Sequence, residues 1–228
     1  IIKKYNLTKN NITVINRGID TKYFNQPLDV VTRDNIIKTH QIDTAKKIIL
    51  FPARMTSWKG QLEFIDVIKK MDTQNVLVLF VGDTKNESYT KLVRDKIKNN
   101  NLTNTFKILG SVNQGELRSL YQIADLSVSF PLRAEGFGRT VSESLYSNTP
   151  VLAFDYGGVK NQLENLSDLF KVKPHDYQGL PKKIEVLLNL NEDQKKDALQ
   201  DAQLVIEKNF SKTNMVNQYM KLYESIKS

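Results

Sequence analysis

The sequence predicts an α/β fold in which a doubly wound parallel sheet is covered by helices on both faces. Short β-rich runs alternate with longer helical patterns from residue 47 to residue 154, which is the order that repeated βαβ units produce. Two of the runs, IILF at 48–51 and VLVLFV at 76–81, are continuously apolar. Parallel strands that are buried on both faces have this composition, whereas half-exposed strands alternate.

The strands and helices follow one another in a regular order. Expected strands lie at residues 12–15, 47–51, 76–81, 106–109, 126–130 and 151–154, with a weaker one at 169–172. Expected helices lie at residues 60–71, 87–100, 114–123 and 139–147. In the first of these helices, Leu62, Ile65 and Ile68 recur with the period of a helix face that packs on a sheet. The polar segment 25–46 has weak patterning and predicts a mobile surface excursion.

Only helical patterns remain after Pro174. They cover residues 177–190, 192–209 and 211–226. These helices hold too few apolar side chains to form a core of their own, so we expect them to pack on the sheet or on another domain.

The composition excludes several classes of protein. The chain has 228 residues, of which 40% are hydrophobic and 25% charged, as in an ordinary soluble globular protein. No run of 18 apolar residues is present to span a membrane. There is no cysteine, and His40 and His175 are the only histidines, which excludes a disulfide framework and argues against a zinc site. Because the chain begins with Ile and has no signal peptide, we expect a fragment of a longer protein.

The formal net charge of +8 is compatible with phosphate-bearing partners, anionic lipid or nucleic acid. The lysines are spread as pairs, at residues 3–4, 46–47, 69–70, 182–183 and 195–196. This spread favours ordinary solvation of the surface. Since no aromatic-interleaved RNA motif appears, we expect no binding to nucleic acid.

The most informative run is EGFGRTVSESL, at residues 135–145. Pro131 ends the strand before it, Gly136 and Gly138 permit a tight turn, and a helix then opens. A strand, a glycine turn and a helix in this order form an anion site, because free N–H groups and the positive end of the helix dipole face outward. Glu143, one turn into the helix, is placed to accept hydrogen bonds from a sugar diol. The run therefore predicts a site for a phosphorylated sugar such as a nucleotide.

Glu135 and Glu143 also admit two other interpretations. Two carboxylates near one site are typical of the acid and the base of a glycoside hydrolase, although a helix start suited to a diphosphate is not expected between such a pair. Glu143 alone is also compatible with a solvated side chain in the first turn of a helix, where the dipole favours it.

Polar or glycine-rich clusters follow five of the expected strands. They lie at residues 54–60, 82–83, 110–113, 133–139 and 155–158. Since the carboxyl ends of parallel strands share one edge of the sheet, these clusters should face one crevice. Arg54 and Lys59 would offer it a planar fork and a point charge for a diphosphate leaving group. The alternative is that they are two solvated cations around a helix start.

Together these motifs resemble the retaining glycosyltransferases of family 4, which have the GT-B fold. The similar segments are NRGID and Phe24 within 16–24, FPAR and KG within 51–60, the E-x7-E run 135–143, DYGGV at 155–159, and the closing helix over 210–223. The resemblance implies that residues 1–228 form a Rossmann-like C-terminal domain that binds the nucleotide-sugar donor. Helices in 191–228 would pack on it or toward an N-terminal acceptor domain outside this sequence.

The resemblance also implies roles for the site residues. Arg54 and Lys59 would bind the donor diphosphate and stabilise the departing nucleotide, and Glu135 would contact the transferred sugar; these three are the catalytic candidates. Glu143 would hold the ribose hydroxyls. The other donor-binding candidates are Gly110, Ser111, Val112, Phe137, Gly138, Arg139 and Thr140.

The function implied by the same resemblance is the retaining, metal-independent transfer of a hexose from a UDP- or GDP-sugar to a glycan or lipid-linked acceptor. No cofactor and no metal are expected, and this chain alone should bind the donor without transferring sugar. The implied setting is bacterial lipopolysaccharide or capsule biosynthesis in the cytoplasm, with peripheral contact to the inner face of the membrane as one option. Two alternatives stay open: a nucleotide-sugar binding module without transferase activity, and another GT-B enzyme such as an epimerase.

The sequence departs from the family pattern in three places. Ala53 replaces the glycine that usually precedes Arg54, and Arg133 adds a cation before the signature. Residues 160–162, with the sequence KNQ, stand where a Glu is usual.

Overall fold

The centre of the protein is a six-stranded parallel sheet, seen in a computed structural model that describes residues 12–164 and 166–227. The strands are β1 (Lys47–Pro52), β2 (Val76–Val81), β3 (Phe106–Gly110), β4 (Leu126–Ser129), β5 (Val151–Phe154) and β6 (Lys171–Val172). Their order across the sheet is β3-β2-β1-β4-β5-β6, and all neighbours are parallel. The order changes direction between β1 and β4, which confirms the predicted doubly wound topology.

Helices connect the strands and continue beyond the last of them. They are α1 (Thr21–Phe24), α2 (Val30–His40), α3 (Gln61–Ile68), α4 (Glu87–Asn99), α5 (Gln114–Ile123), α6 (Arg139–Tyr146), α7 (Gly158–Leu163), α8 (Leu180–Leu188), α9 (Glu192–Phe210) and α10 (Lys212–Lys227). Short 3₁₀ turns lie at Ser57–Lys59 and Asp168–Phe170, and the second one overlaps the first half of the weaker strand expected at residues 169–172. Capping boxes fix two of the helix starts, Asn113 with Glu116 at α5 and Asn191 with Gln194 at α9.

The central strands bury side chains on both faces of the sheet. In β1, Leu50 packs in one core cluster, whereas Ile49 and Phe51 pack in the other. The ring centroid of Phe51 lies 5.3 Å from those of both Phe64 in α3 and Phe80 in β2. The continuously apolar runs are explained by this arrangement, because each face of the sheet needs its own core.

The strand expected at residues 12–15 is wrong, because these residues form no strand. Backbone pairing occurs a few residues later, where Ile19 forms an isolated parallel bridge with Ser211. The N–H of Ile19 donates to the carbonyl of Phe210 at 2.9 Å, and the N–H of Lys212 donates to the carbonyl of Ile19 at 2.7 Å. A short β-branched run favours extended backbone, but strand formation also needs a neighbour in the sheet.

The excursion expected at residues 25–46 is also wrong, because the 11-residue helix α2 occupies its centre. The carboxylate of Asp29 caps this helix by accepting from the N–H groups of Val31 and Thr32. The helix packs against α5 and buries Ile36 there, while Val31 stays exposed. A helix that buries so few side chains has only a faint apolar period, so the sequence pattern did not reveal it.

The two last helices are packed differently. Helix α9 packs against α6 and α7, where it buries Leu199, Ala202, Ile206 and Phe210. Helix α10 packs against α9 but exposes a row of apolar side chains, which we call the α10 apolar face: Val216, Tyr219, Met220, Tyr223 and Ile226. Within the described ranges, no helix combines the length and the apolar character that a membrane crossing requires.

Candidate functional site

A crevice lies at the carboxyl edge of the sheet, where the sequence predicts a site. Its cavity of about 250 Å³ is lined by the segments that follow β1, β2 and β3 and by the start of α6. Four predicted residues meet there: Arg54, Ser111, Val112 and Thr140. The structure therefore joins the predicted base-binding turn and the start of the signature helix in one cavity.

Backbone hydrogen bonds connect the loops that line this crevice. The N–H of Gly82 donates to the carbonyl of Gly110 at 2.8 Å, which links the ends of β2 and β3. The carbonyl of Arg54 accepts from the side-chain amide of Gln61 at 2.9 Å, and the hydroxyl of Tyr89 donates to that amide's oxygen at 3.2 Å. Gln61 is fully buried, so the loop that carries Arg54 is held from inside α3.

Lys59 and Glu135 form an ion pair between the loops that follow β1 and β4. Their side chains are only 16% and 12% exposed, and the Lys59 ammonium also lies 4.4 Å from the centroid of the Trp58 ring. A buried charge without a partner is strongly unfavourable, so each of these residues stabilises the other. The family resemblance implies separate contacts of these two residues with the donor, and the structure shows that they are neighbours.

The signature turn packs against the glycine corner that precedes α7. The N–H of Gly158 donates to the carbonyl of Glu135 at 2.7 Å. A Cβ on Gly158 would overlap the carbonyl oxygen of Gly136, so only glycine fits at this position. The sequence predicts that residues 155–158 belong to the clusters that face the crevice, and in the structure the glycines of this corner contact the signature turn.

Gln162 in α7 ties the same two segments together and was missed by the sequence reasoning. Its buried side-chain amide donates to the carbonyls of Phe137 and Gly138 and accepts from the hydroxyl of Ser142. A Glu at Gln162 could not donate to two carbonyls when it is ionised. The departure of residues 160–162 from the family pattern was the one signal for this contact.

Gly138 is the N-cap residue of helix α6, and its φ of 78° lies in the left-handed region that favours glycine. Because no side chain caps this helix start, the N–H groups of Arg139 and Thr140 remain available for an anion. The side chain of Phe137 is buried, with its ring centroid 5.9 Å from that of Phe210. Phe137 can therefore serve a ligand only through its backbone.

Glu143 is 5% exposed, which shows that it is not a solvated first-turn residue. Its Oε1 lies 2.7 Å from Nη2 of Arg139, and its Oε2 accepts a hydrogen bond from the hydroxyl of Tyr121 at 3.2 Å. Burial raises the pKa of the Glu143 carboxyl, against the opposing effects of Arg139 and Tyr121. Burial also raises the pKa of Tyr121 well above its ordinary value, so this phenol stays protonated and donates.

The family model of the Glycosyl transferases group 1 matches residues 32–203, which is more than half of the chain. The chain belongs to this glycosyltransferase family. The matched range contains the crevice, the Lys59–Glu135 pair and Glu143. Family membership confirms the resemblance seen in the sequence motifs.

Individual proteins are similar to this chain over most of its length. Trehalose synthase of Thermococcus litoralis is 28% identical over 205 residues, which are 86% of this chain and 49% of that protein. A glycosyltransferase from Rickettsia africae superposes with a TM-score of 0.91 at 29% identity, covering 99% of this chain and 60% of the other. Anabaena HepE, solved in complex with UDP, superposes with a TM-score of 0.83 at 21% identity, covering 98% of this chain and 60% of the other.

Two conclusions follow from these comparisons. The chain spans about half the length of the curated relatives that it matches. Its parallel sheet with flanking helices is the Rossmann-like fold of a GT-B glycosyltransferase domain.

Across residues 12–164 and 166–227, no group of three or more His, Asp or Glu side chains is placed to hold a metal ion.

The glycine corner before α7 can be tested with two alanine variants. Gly158→Ala should lower the free energy of unfolding by about 1–3 kcal/mol, because the new methyl group overlaps backbone that cannot turn away. Gly136→Ala is the matched control, since a Cβ there would meet no atom within 4 Å, and it should change stability by no more than about 0.5 kcal/mol. Urea denaturation measures both; equal effects would show that the close contact is not what requires glycine.

The burial of Glu143 predicts a pH-dependent stability difference. Since folding raises the pKa of this carboxyl above its ordinary 4.5, the folded state binds the proton more tightly than the unfolded state. Its contribution is therefore most favourable below that value and declines as the pH rises through the pKa of the folded protein. Glu143→Gln does not titrate, so its stability relative to wild type should increase between about pH 4 and pH 8. Urea denaturation across this range measures the difference; a constant or falling difference would contradict the assignment.

Proposed function

We propose that this chain is the donor-binding half of a retaining, metal-independent glycosyltransferase of family 4. It would bind a UDP- or GDP-hexose, and the whole enzyme would move the hexose to an acceptor. The observation that carries the proposal is the uncapped start of α6, which has the Lys59–Glu135 pair beside its turn and the buried Glu143 one turn further on.

The diphosphate would lie at the start of α6. The free N–H groups there and the positive end of the helix dipole favour an anion. Arg54, which lines the crevice, and Lys59 would add positive charge. As the bond to the sugar breaks, negative charge grows on the leaving diphosphate, and fixed cations lower the energy of that state.

The base and the two sugars would occupy the space on either side of the diphosphate. The turn of Gly110, Ser111 and Val112 borders the cavity and would cradle the base through its main chain. Glu143 would accept hydrogen bonds from the ribose hydroxyls, and Glu135 would contact the transferred hexose. Uracil is the base that we favour, because Anabaena HepE has been solved with UDP and with UDP-glucose.

Retention would follow from attack on the same face of the sugar that the diphosphate leaves. In this scheme the departing phosphate helps to remove the proton of the acceptor hydroxyl. Glu135 and Glu143 would then hold the donor and would not act as the acid and base of a hydrolase. Neither the scheme nor the donor contacts call on a metal ion or a cofactor.

The acceptor would be a glycan or a lipid-linked sugar, bound by another domain of a longer protein. The relatives are about twice as long as their match to this chain, and the α10 apolar face offers an uncovered surface to a second domain. Bacterial lipopolysaccharide or capsule biosynthesis at the cytoplasmic side of a membrane is the setting that we propose for this activity.

Nucleotide titration tests the donor site. UDP should bind to this chain with a dissociation constant below about 1 mM, measured by calorimetry with GDP in parallel. Glu143→Ala and Lys59→Ala should each weaken binding by about 10- to 100-fold, since each removes hydrogen bonds to a charged group. Lys70→Ala, an exposed lysine beyond the far end of α3, is the matched control and should bind like wild type. If neither nucleotide binds, or if both site variants bind like wild type, the proposed site is wrong.

The acceptor-domain contact has its own test in the longer protein. Met220→Asp, in the middle of the α10 apolar face, should lower sugar transfer by about tenfold or more, because a charge is forced into the proposed contact. UDP affinity should not change, since α10 lies outside the crevice. Leu204→Asp is the matched control, because Leu204 is an exposed apolar side chain of the neighbouring α9. Equal transfer by both variants would overturn the contact.

A further inference from the structure

We propose that Tyr121 is a positioning residue for Glu143, and that the Arg139 side chain is a cover which the ribose displaces. This inference rests on the proposed function, in which Glu143 holds the ribose hydroxyls. It adds two elements to that function: a residue behind the carboxylate that fixes its orientation, and a residue in front of it that exchanges with the ligand.

Tyr121 is held in place by its burial, by ring packing and by a hydrogen bond to its backbone. It is fully buried in α5, and its ring packs edge-on against Phe24 with centroids 6.4 Å apart. Its carbonyl accepts a hydrogen bond from the hydroxyl of Thr149 at 2.5 Å, which ties α5 to the turn before β5. The phenol hydroxyl therefore meets Oε2 of Glu143 from a fixed direction, at 3.2 Å.

Arg139 contacts the same carboxylate from the solvent-exposed side. Its side chain is 57% exposed, whereas that of Glu143 is 6% exposed, and the two are joined through Oε1 at 2.7 Å. An exposed guanidinium loses little when it turns from a carboxylate to water. A fully buried phenol has no such choice, because its hydroxyl would be left without a partner.

The carboxylate has room for both its protein partners and a diol. Two carboxylate oxygens offer about four acceptor positions, and Tyr121 and Arg139 each use one. Departure of Arg139 would free Oε1 on the side that Arg139 covers, while Tyr121 would keep Oε2 in place. Fixing a ligand group by a buried neighbour is the usual way in which a binding geometry is kept accurate.

The test compares UDP with 2′,3′-dideoxy-UDP, which lacks the hydroxyls that Glu143 would hold. Calorimetry should show that wild type binds UDP about tenfold or more tightly than the dideoxy compound. Tyr121→Phe should weaken UDP by about tenfold and the dideoxy compound by less than about twofold, so that the preference is lost. A purely structural role would weaken both ligands equally, and that result, or an unchanged preference, would overturn the inference.

Tyr146→Phe is the matched control for this substitution. Tyr146 lies on the same helix as Glu143, but its hydroxyl donates to Glu207 at 2.6 Å and to the carbonyl of Gln203 at 3.1 Å, both on α9. The variant loses the same hydroxyl from a buried side chain that does not line the crevice, and it should keep the wild-type preference for UDP. A loss of preference here would show that the Tyr121 result is not specific.

A second variant keeps the inference testable if Tyr121→Phe does not fold. Arg139→Gln removes the cover without touching the buried tyrosine, so its preference for UDP over the dideoxy compound should rise above that of wild type. A reduced preference would show that Arg139 helps to hold the ribose and is not displaced by it. If wild type does not bind UDP at all, the proposed function fails, and this inference fails with it.

Discussion

The position of the signature turn depends on one close contact between two stretches of backbone. Gly158 lies so near to Gly136 that no side chain fits between them, and the N–H of Gly158 is bonded to the carbonyl of Glu135. The two stretches follow β4 and β5, which are neighbours in the sheet. Strand pairing therefore sets where the signature turn lies, and Gln162 extends the same connection to the first residues of α6.

The charges around the signature turn and the first turn of α6 are paired with one another. Lys59 faces Glu135, and Arg139 faces Glu143. The side chains of Lys59, Glu135 and Glu143 are mostly buried. Buried charges without partners would oppose folding, so the pairing makes a charged site compatible with a stable domain. In the proposed function, donor binding would be an exchange of partners, in which each charge would give up one contact as it gains another.

Features that depend on neighbouring residues were predictable from the sequence, and features that depend on distant ones were not. The apolar runs of β1 and β2 and the glycine turn before α6 are local patterns, and the structure has all three. The contacts of Tyr121 with Glu143 and of Gln162 with Phe137 join residues more than 20 positions apart. Contacts between residues so far apart leave no periodic pattern in the sequence. Helix α2 was missed for a related reason, because its burial depends on Ile36 far more than on a repeated pattern.

The bridge between Ile19 and Ser211 joins two segments that lie far apart in the sequence. Hydrogen bonds on both sides of Ile19 fasten it to the junction of α9 and α10, and the ring of Phe210 at that junction packs against Phe137. A displacement of either segment would therefore act on the other at this bridge. The rings of Phe137 and Phe210 are one link from the bridge to the start of α6, and the packing of α9 against α6 is a second.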